Sequence, residues 1–335
     1  MTIWHDLLEI AIHAPSPHNV QPWRVKIIND TEAELYIDST RTLPKEDITG
    51  SFIISTMGMF IEALDILAGH RNSRIEYELF DDAETIAPAI LEAKTRKLIS
   101  FAKLRLVPGR ETESRYDEEL FLKRRTSRLH LKNEKISEES VDILGQIAGE
   151  WKQVFTVTSD AEQIERILRW NTKALFEDLN SADYHDEIVE WFRYTKNQSL
   201  RHRDGLDARC MNTFPINYWI VANLPKLLLL PVSGQIMAGV YRRQIGEVPM
   251  LGIISGGFWK PADGVDAGRF LMRFWLETAR QRLYIHPYGN LVTNHEAAKA
   301  VEQELGIKDV WLIFKIGHSD EPPKSHRLPV EKILV

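Results

Sequence analysis

Among its 335 residues the chain has a single cysteine, Cys210. No intrachain disulfide and no cysteine-based zinc site can be built from it, which points to a reducing cytoplasm and an inert thiol. There is no basic surplus. The 42 Lys and Arg stand against 48 Asp and Glu, a formal net charge of −6, so nucleic acid is not an expected partner. No Lys/Arg-rich amphipathic stretch argues for a membrane surface. A membrane span needs roughly 20 apolar residues. The greasiest segment, residues 218–232, is broken by Asn223, Pro225 and Lys226, and reads as a buried or lid-like element. The first six residues show no basic or long apolar region of the kind a signal peptide has. The eleven histidines supply no H-x-x-x-H pair, so a metal site is not expected. Two motifs only imitate known chemistry. His202-Arg203-Asp204 lacks the asparagine that a kinase triplet needs five residues later, where Arg209 stands. Residues 252–257 are not a G-x-G-x-x-G and have no βαβ context.

What is present is a globular composition, 44% hydrophobic and 27% charged. The length suits two domains or one large composite one. Apolar spacing predicts helices around residues 7–11, 52–67, 137–148, 161–177 and 268–283. Alternation or short apolar runs predict strands at 23–28, 34–38, 75–80, 101–107, 154–158 and 309–316. A charged run at 110–120 marks a boundary, after which the order helix, strand, long helix partly restarts. That recurrence hints at an ancient duplication. The expected organisation is a first half, 1–118, and a second half, 119–335, with an irregular insert at about 180–260. The expected fold is α+β, a mostly antiparallel central sheet flanked by helices and duplicated within the chain.

Four stretches carry chemistry. Residues 14–24, Ala-Pro-Ser-Pro-His-Asn-Val-Gln-Pro-Trp-Arg, form a proline-stiffened loop in which Pro15 and Pro17 suit the face of a planar ligand. Ser16 and Asn19 offer polar groups there, although a plain turn has the same composition. Arg124-Arg125-Thr126-Ser127-Arg128 combines guanidinium forks with hydroxyls, a grip for phosphate and carbonyl oxygens, or else a solvated basic run. Pro287-Tyr288-Gly289-Asn290 follows the last long helix and could equally be a helix-to-strand turn. The tail holds Lys324, His326 and Arg327, or is simply a basic, solvent-exposed end.

The first stretch resembles the A-P-S-x-x-N-x-Q-P-W-R/H motif of nitroreductase-like flavoproteins, and every specified position fits in order. The second is similar to that family's R-x-S-x-R/K signature, with Thr126 in place of serine, and the tail to its P-P-K-x-R ending. Length and order resemble the Acg-like branch, as do residues 41–44, 191–193 and 204–206. The resemblance implies a nitroreductase-like α/β sandwich and a bound FMN. Arg124 and Thr126 would meet its phosphate and ribityl side, and Arg128 the pyrimidine edge of the flavin. Residues 287–290 would pass its N5, and the tail cations Lys324, His326 and Arg327 would lie near the phosphate. NAD(P)H is the implied reductant and a nitroaromatic, quinone or similar small molecule the acceptor. Each motif stands once in the chain, which implies a fused pseudo-dimer with one composite site, monomeric or further dimerised. A second function stays open, a flavin-sequestering protein whose insert forms a lid and which turns over little.

Overall fold

The structure, a computed structural model, describes residues 3–92, 98–109 and 115–335. Of the charged boundary run, Arg110, Glu111 and Glu113 lie outside the described residues. The chain forms two compact units. The first is made of residues 1–124, 257–280 and 327–335, the second of 125–256 and 281–326.

The first unit contains α1 (Ile3–Ala11), β1 (Trp23–Ile27), β2 (Glu32–Asp38), α2 (Ser51–Gly69), β3 (Ser73–Leu79), α3 (Ala83–Glu92), β4 (Leu98–Pro108) and α4 (Glu118–Lys123). The second contains α5 (Glu138–Glu150), β5 (Gln153–Thr158), α6 (Ala161–Asp178), α7 (Ala182–Glu190), β6 (Phe192–Arg193), α8 (Lys196–His202), β7 (Leu206–Asp207), α9 (Pro215–Asn223), α10 (Pro231–Ile245) and β8 (Leu251–Gly256). After it α11 (Pro261–Arg280) returns to the first unit. β9 (Tyr284–Pro287), α12 (Asn290–Thr293), α13 (His295–Leu305) and β10 (Val310–Gly317) complete the second unit, and α14 (Val330–Ile333) joins the first.

Each unit holds a four-stranded sheet paired antiparallel throughout, in the orders β1-β2-β4-β3 and β5-β8-β10-β9. Ranked within its own sheet, each order is first, second, fourth, third. In both cases a long helix, α2 or α11, joins the second strand to the third, and a helix, α3 or α13, lies between the third and fourth. The fold is therefore α+β and internally duplicated. The extra material in the second copy lies between β5 and β8. Residues 180–260, expected to be irregular, instead hold the four α-helices α7 to α10, the β8 strand and a short parallel ladder of β6 with β7. Most of residues 252–257, which are not a dinucleotide-binding glycine motif, belong to β8, the strand between β5 and β10. The glycines have a packing reason there, since a Cβ on Gly252 would run into the Phe314 ring.

α2 is long and apolar enough in composition to cross a membrane, but it is the core helix of the first unit and most of it is buried. Its apolar side chains face all round, the pattern of a helix packed on every side. The Asp47 carboxylate accepts from the backbone N–H of Phe52 (3.1 Å) and Ile53 (2.9 Å), supplying the N-terminal cap. α11 lies close against α2. A Cβ on Gly58 would strike the Val265 carbonyl, and one on Gly268 the Ser55 carbonyl. Glu62 on α2, fully buried, takes ion pairs from Arg269 (2.6 Å) and Arg273 on α11.

Candidate functional site

In the first unit, residues 15–21 leave α1 and turn back into β1. Pro17–Asn19 form a single 3-10 turn. His18, Asn19 and Gln21 all have positive φ, at 45°, 57° and 53°. Three non-glycine residues in the left-handed region within four positions is a costly arrangement, and such strain collects at functional loops. Several bonds enforce it. The Gln21 N–H donates to Ser16 Oγ at 3.1 Å, Arg41 donates to the Val20 carbonyl at 2.8 Å, and the Leu328 N–H donates to Gln21 Oε1 at 2.8 Å. His18 and Glu46 pair at 3.0 Å. Burial pushes the Glu46 carboxyl up, but the His18 imidazole outweighs it and holds the carboxyl below its usual range. The Ser16 hydroxyl thus closes the loop, while Pro15 is buried and Pro17 half-buried beside it.

Arg124 follows α4 and is buried. One of its nitrogens donates to the His13 carbonyl at 3.0 Å, and the guanidinium lies 4.8 Å from the Trp275 ring centroid. Burial first, and repulsion from the buried Arg327 second, push the Arg124 guanidinium down to about 9. Two buried guanidinium groups facing each other are what an anion would relieve. The structure thus brings together Arg124 and Arg327, which stand two hundred residues apart in the chain.

In the second unit, the segment after Arg124 runs alongside β9. Thr126 bridges Ile285 in parallel, and the Ser127 N–H donates to the Ile285 carbonyl at 3.2 Å. Arg125 turns to the tail, donating to the Pro322 carbonyl (2.7 Å) and pairing with Glu321 (2.6 Å). Arg128 points among Cys210, Tyr218, Tyr241, His286 and Lys315, all of which influence or feel its charge. No carboxylate pairs with Arg124 or Arg128 among the described residues. Buried polar atoms without a partner gather here: Arg128 Nε, His286 Nδ1, Tyr218 Oη and Tyr288 Oη. Burial, then Arg128 and Lys315, hold His286 well below its usual value, so the ring is neutral. Burial raises the phenols of Tyr218, Tyr241 and Tyr288, so all three keep their protons.

The 287–290 turn is anchored. The Tyr288 N–H is taken by the Ile313 carbonyl at 2.8 Å, and the side chain of Asn290 donates to Asp178 at 2.8 Å. Asn294 donates to the same carboxylate at 2.9 Å. In the tail, Lys324 is exposed and His326 lies 3.4 Å from Arg209.

No protein-family model and no curated protein matches the chain. Solved structures do. The FMN-dependent nitroreductase NfnB from Mycobacterium smegmatis, solved in complex with NADPH, is 16% identical over 61% of this chain and 87% of its own, with a TM-score of 0.35. A candidate nitroreductase from Anabaena variabilis is 11% identical over 91% of this chain and 82% of its own, TM-score 0.45. A BluB-like flavoprotein from Clostridium difficile is 14% identical over 65% and 97%, TM-score 0.37.

Sequence reasoning missed Tyr218, His286 and Lys315 as neighbours of Arg128. For Lys315 a signal existed, a lysine inside the eight-residue strand β10 whose every position is buried. Its ammonium donates to the carbonyls of Leu129 (2.8 Å) and Ile245 (3.0 Å), tying the residue after Arg128 to the end of α10. Burial, then Arg128 and Arg242, lower it from 10.5 to about 8. Below pH 8 both folded and unfolded chains carry the proton, and the cost of the buried charge is borne in full. Between pH 8 and 10.5 the unfolded chain holds the proton that the folded one has shed, so stability rises with pH across that window. Denaturant titrations of the wild type and Lys315→Met at pH 7 and pH 10 should show the wild type gaining relative to the variant. An equal response in both would remove Lys315 as the source.

Proposed function

We propose that the chain is an FMN-dependent oxidoreductase of nitroreductase type, transferring hydride from NAD(P)H to a small-molecule acceptor such as a nitroaromatic or a quinone, in the cytoplasm. The observation that carries this reading is made in each unit by itself: Arg124 in the first and Arg128 in the second are enclosed guanidinium groups with no carboxylate partner among the described residues, each with its Nε unbonded. They stand in the segment that resembles the flavoprotein signature. The residues fit the cofactor. Arg124, with Arg327 beside it, has the charge for a phosphate, and Thr126 a hydroxyl for the ribityl chain. Arg128 would place a cation at the pyrimidine edge, where negative charge gathers on reduction. Gly289 and Asn290 would offer backbone donors toward N5, and the strained loop at 15–21, with Asn19, keeps the ligand-facing role that the resemblance implies for it. Lys324 and His326 remain candidates for the outer phosphate region. FMN, when bound, supplies the two-electron chemistry that no side chain here can. Neutral His286 and the protonated tyrosines near Arg128 would be able to donate hydrogen bonds to FMN without adding charge. One FMN per chain follows from the single set of motifs, read as a fused pseudo-dimer that could stay monomeric or pair again.

Tyr218 favours a second reading. It is buried in the insert, stacks on Phe192 at 4.1 Å, and lies close enough to Arg128 to feel its charge. An insert packed in this way suits a covered flavin that is held rather than turned over.

Anaerobic titration of FMN-loaded protein with NAD(P)H, followed by visible absorbance, separates the two. Stoichiometric bleaching supports the reductase. Loading without bleaching supports sequestration. Failure to load FMN would overturn both. Arg124→Ala should weaken FMN binding by about 1.5–3 kcal/mol, the worth of a hydrogen bond to a charged group. Quenching of FMN fluorescence measures it, and unchanged affinity would take Arg124 out of the site.

A further inference from the structure

Exposed apolar side chains are not spread evenly over this protein. Of the fifteen large ones exposed among the described residues, nine fall within residues 214–240. They include Phe214 (75% exposed), Trp219, Leu230, Val232 (73%) and Ile236. On α10, Val232, Ile236 and Val240 recur every four residues and form one stripe, which Arg243 extends by a further turn. α9 and α10 are joined through a 3-10 turn at Pro225–Leu228 that carries Leu224, Leu229 and Leu230 at its flanks. Isolated exposed apolar residues need no explanation, but a cluster of this kind marks a surface that is covered in use.

Charge says by what. From 208 to 246 the sequence has no Asp or Glu, in a chain with 48 of them. It does have Arg209, Lys226, Arg242 and Arg243. Arg209 pairs with Asp207, and Arg242 with Glu165. Lys226 and Arg243 are exposed, with no carboxylate partner among the described residues. A second copy of the chain fits this poorly, because a twofold contact through the face would bring these cations together with nothing to neutralise them. An apolar face bearing Trp and Phe, edged by unpaired cations and free of acids, matches the interface of an anionic lipid bilayer. There apolar side chains enter the acyl boundary while Lys and Arg meet lipid phosphates.

We propose that α9, the 3-10 turn and α10 form a membrane-interface docking face that lies on anionic phospholipid. The net charge of −6 over the whole chain conceals it, since the acids sit elsewhere. Docking does not depend on the FMN reading and is tested apart from it.

The experiment is cosedimentation of the full-length protein with vesicles of phosphatidylcholine, alone or mixed in equal parts with phosphatidylglycerol. The wild type should pellet with the mixed vesicles, less so as salt rises, and weakly with phosphatidylcholine alone. Lys226→Gln together with Arg243→Gln should lower partitioning roughly 25-fold, about fivefold for each cation. Leu230→Asp with Ile236→Asp should abolish it. These side chains are exposed, and an unchanged thermal transition and far-ultraviolet circular dichroism would show the variants folded. No binding to the mixed vesicles, or full binding by the Leu230→Asp/Ile236→Asp chain, overturns the proposal. So does a stable dimer in sedimentation equilibrium that the same two substitutions turn into monomers, which would make the face a self-interface.

Discussion

Replacing Gly268 by valine is expected to destabilise the protein by at least about 3 kcal/mol, the upper range for overpacking a filled core. The reason lies in the backbone. A Cβ at 268 would sit far inside contact distance of the Ser55 carbonyl, carbon and Cα, so no side-chain rotamer can relieve it. Either α11 moves away from α2 or one helix bends. Separation would also loosen Gly58 from the Val265 carbonyl and pull Arg269 from the buried Glu62. Trp275, further along α11, would shift from beneath Arg124. Gly145 on α5 is the matched control, with nothing within 4 Å of an added Cβ. Gly145→Ala should stabilise by about 0.5–1 kcal/mol, because alanine loses less backbone entropy in a helix. Urea unfolding of both variants checks the pair. A Gly268→Val chain that unfolds like the wild type would mean that the helix contact is slack.

The parts legible in the sequence are those where one face is buried and one is wet. β4 alternates, and its strand could be read from residues 101–107. α6 is amphipathic, with buried Ile164, Ile167, Leu168 and Ala174 on a helical spacing, and its predicted bounds fall within a residue of those found. Elements buried on every side lose that signal. β8, Leu-Gly-Ile-Ile-Ser-Gly, has no polar face to mark its period, so it was absorbed into an irregular stretch. α3 carries Pro88 inside ten residues and was not anticipated. The start of α11 was placed seven residues late, because Pro261, Asp263 and Gly264 look like loop until Gly264 is seen packed on Ile54. For the candidate site, motif resemblance names Arg124, Thr126 and Arg128 as candidates. It could not find those that surround Arg128, because Tyr218, His286 and Lys315 come from separate elements and meet only in three dimensions. The exposed face at 214–240 is the converse case. Leucine-rich sequence was read as buried or lid-like, and only the fold shows which of those side chains face outward.

The second large effect is expected at Arg193. Its Nε and one terminal nitrogen both reach Asp204 Oδ1, at 2.9 and 2.7 Å, and the other terminal nitrogen donates to the carbonyls of Glu190 and Phe192. Both side chains are almost wholly buried. Arg193→Met should cost about 3–5 kcal/mol, since it strands the Asp204 carboxylate without its cation. Adding Asp204→Asn should recover much of that loss, because the penalty belongs to the widowed charge rather than to the missing contact. The effect should be regional. Phe192 adjoins Arg193 in β6 and stacks on Tyr218 in α9 at 4.1 Å with planes 6° apart. Leu179, Ile188, Ala208 and Leu228 pack into the same cluster. Hydrogen exchange should therefore accelerate across 182–245 in Arg193→Met while β1–β4 stay protected. Tyr218 links this cluster to Arg128, so the variant also tests whether the insert restrains the candidate site. Faster FMN release with intact strands would mean the insert holds the cofactor. Unchanged release with a loosened insert would mean that the insert does not hold FMN.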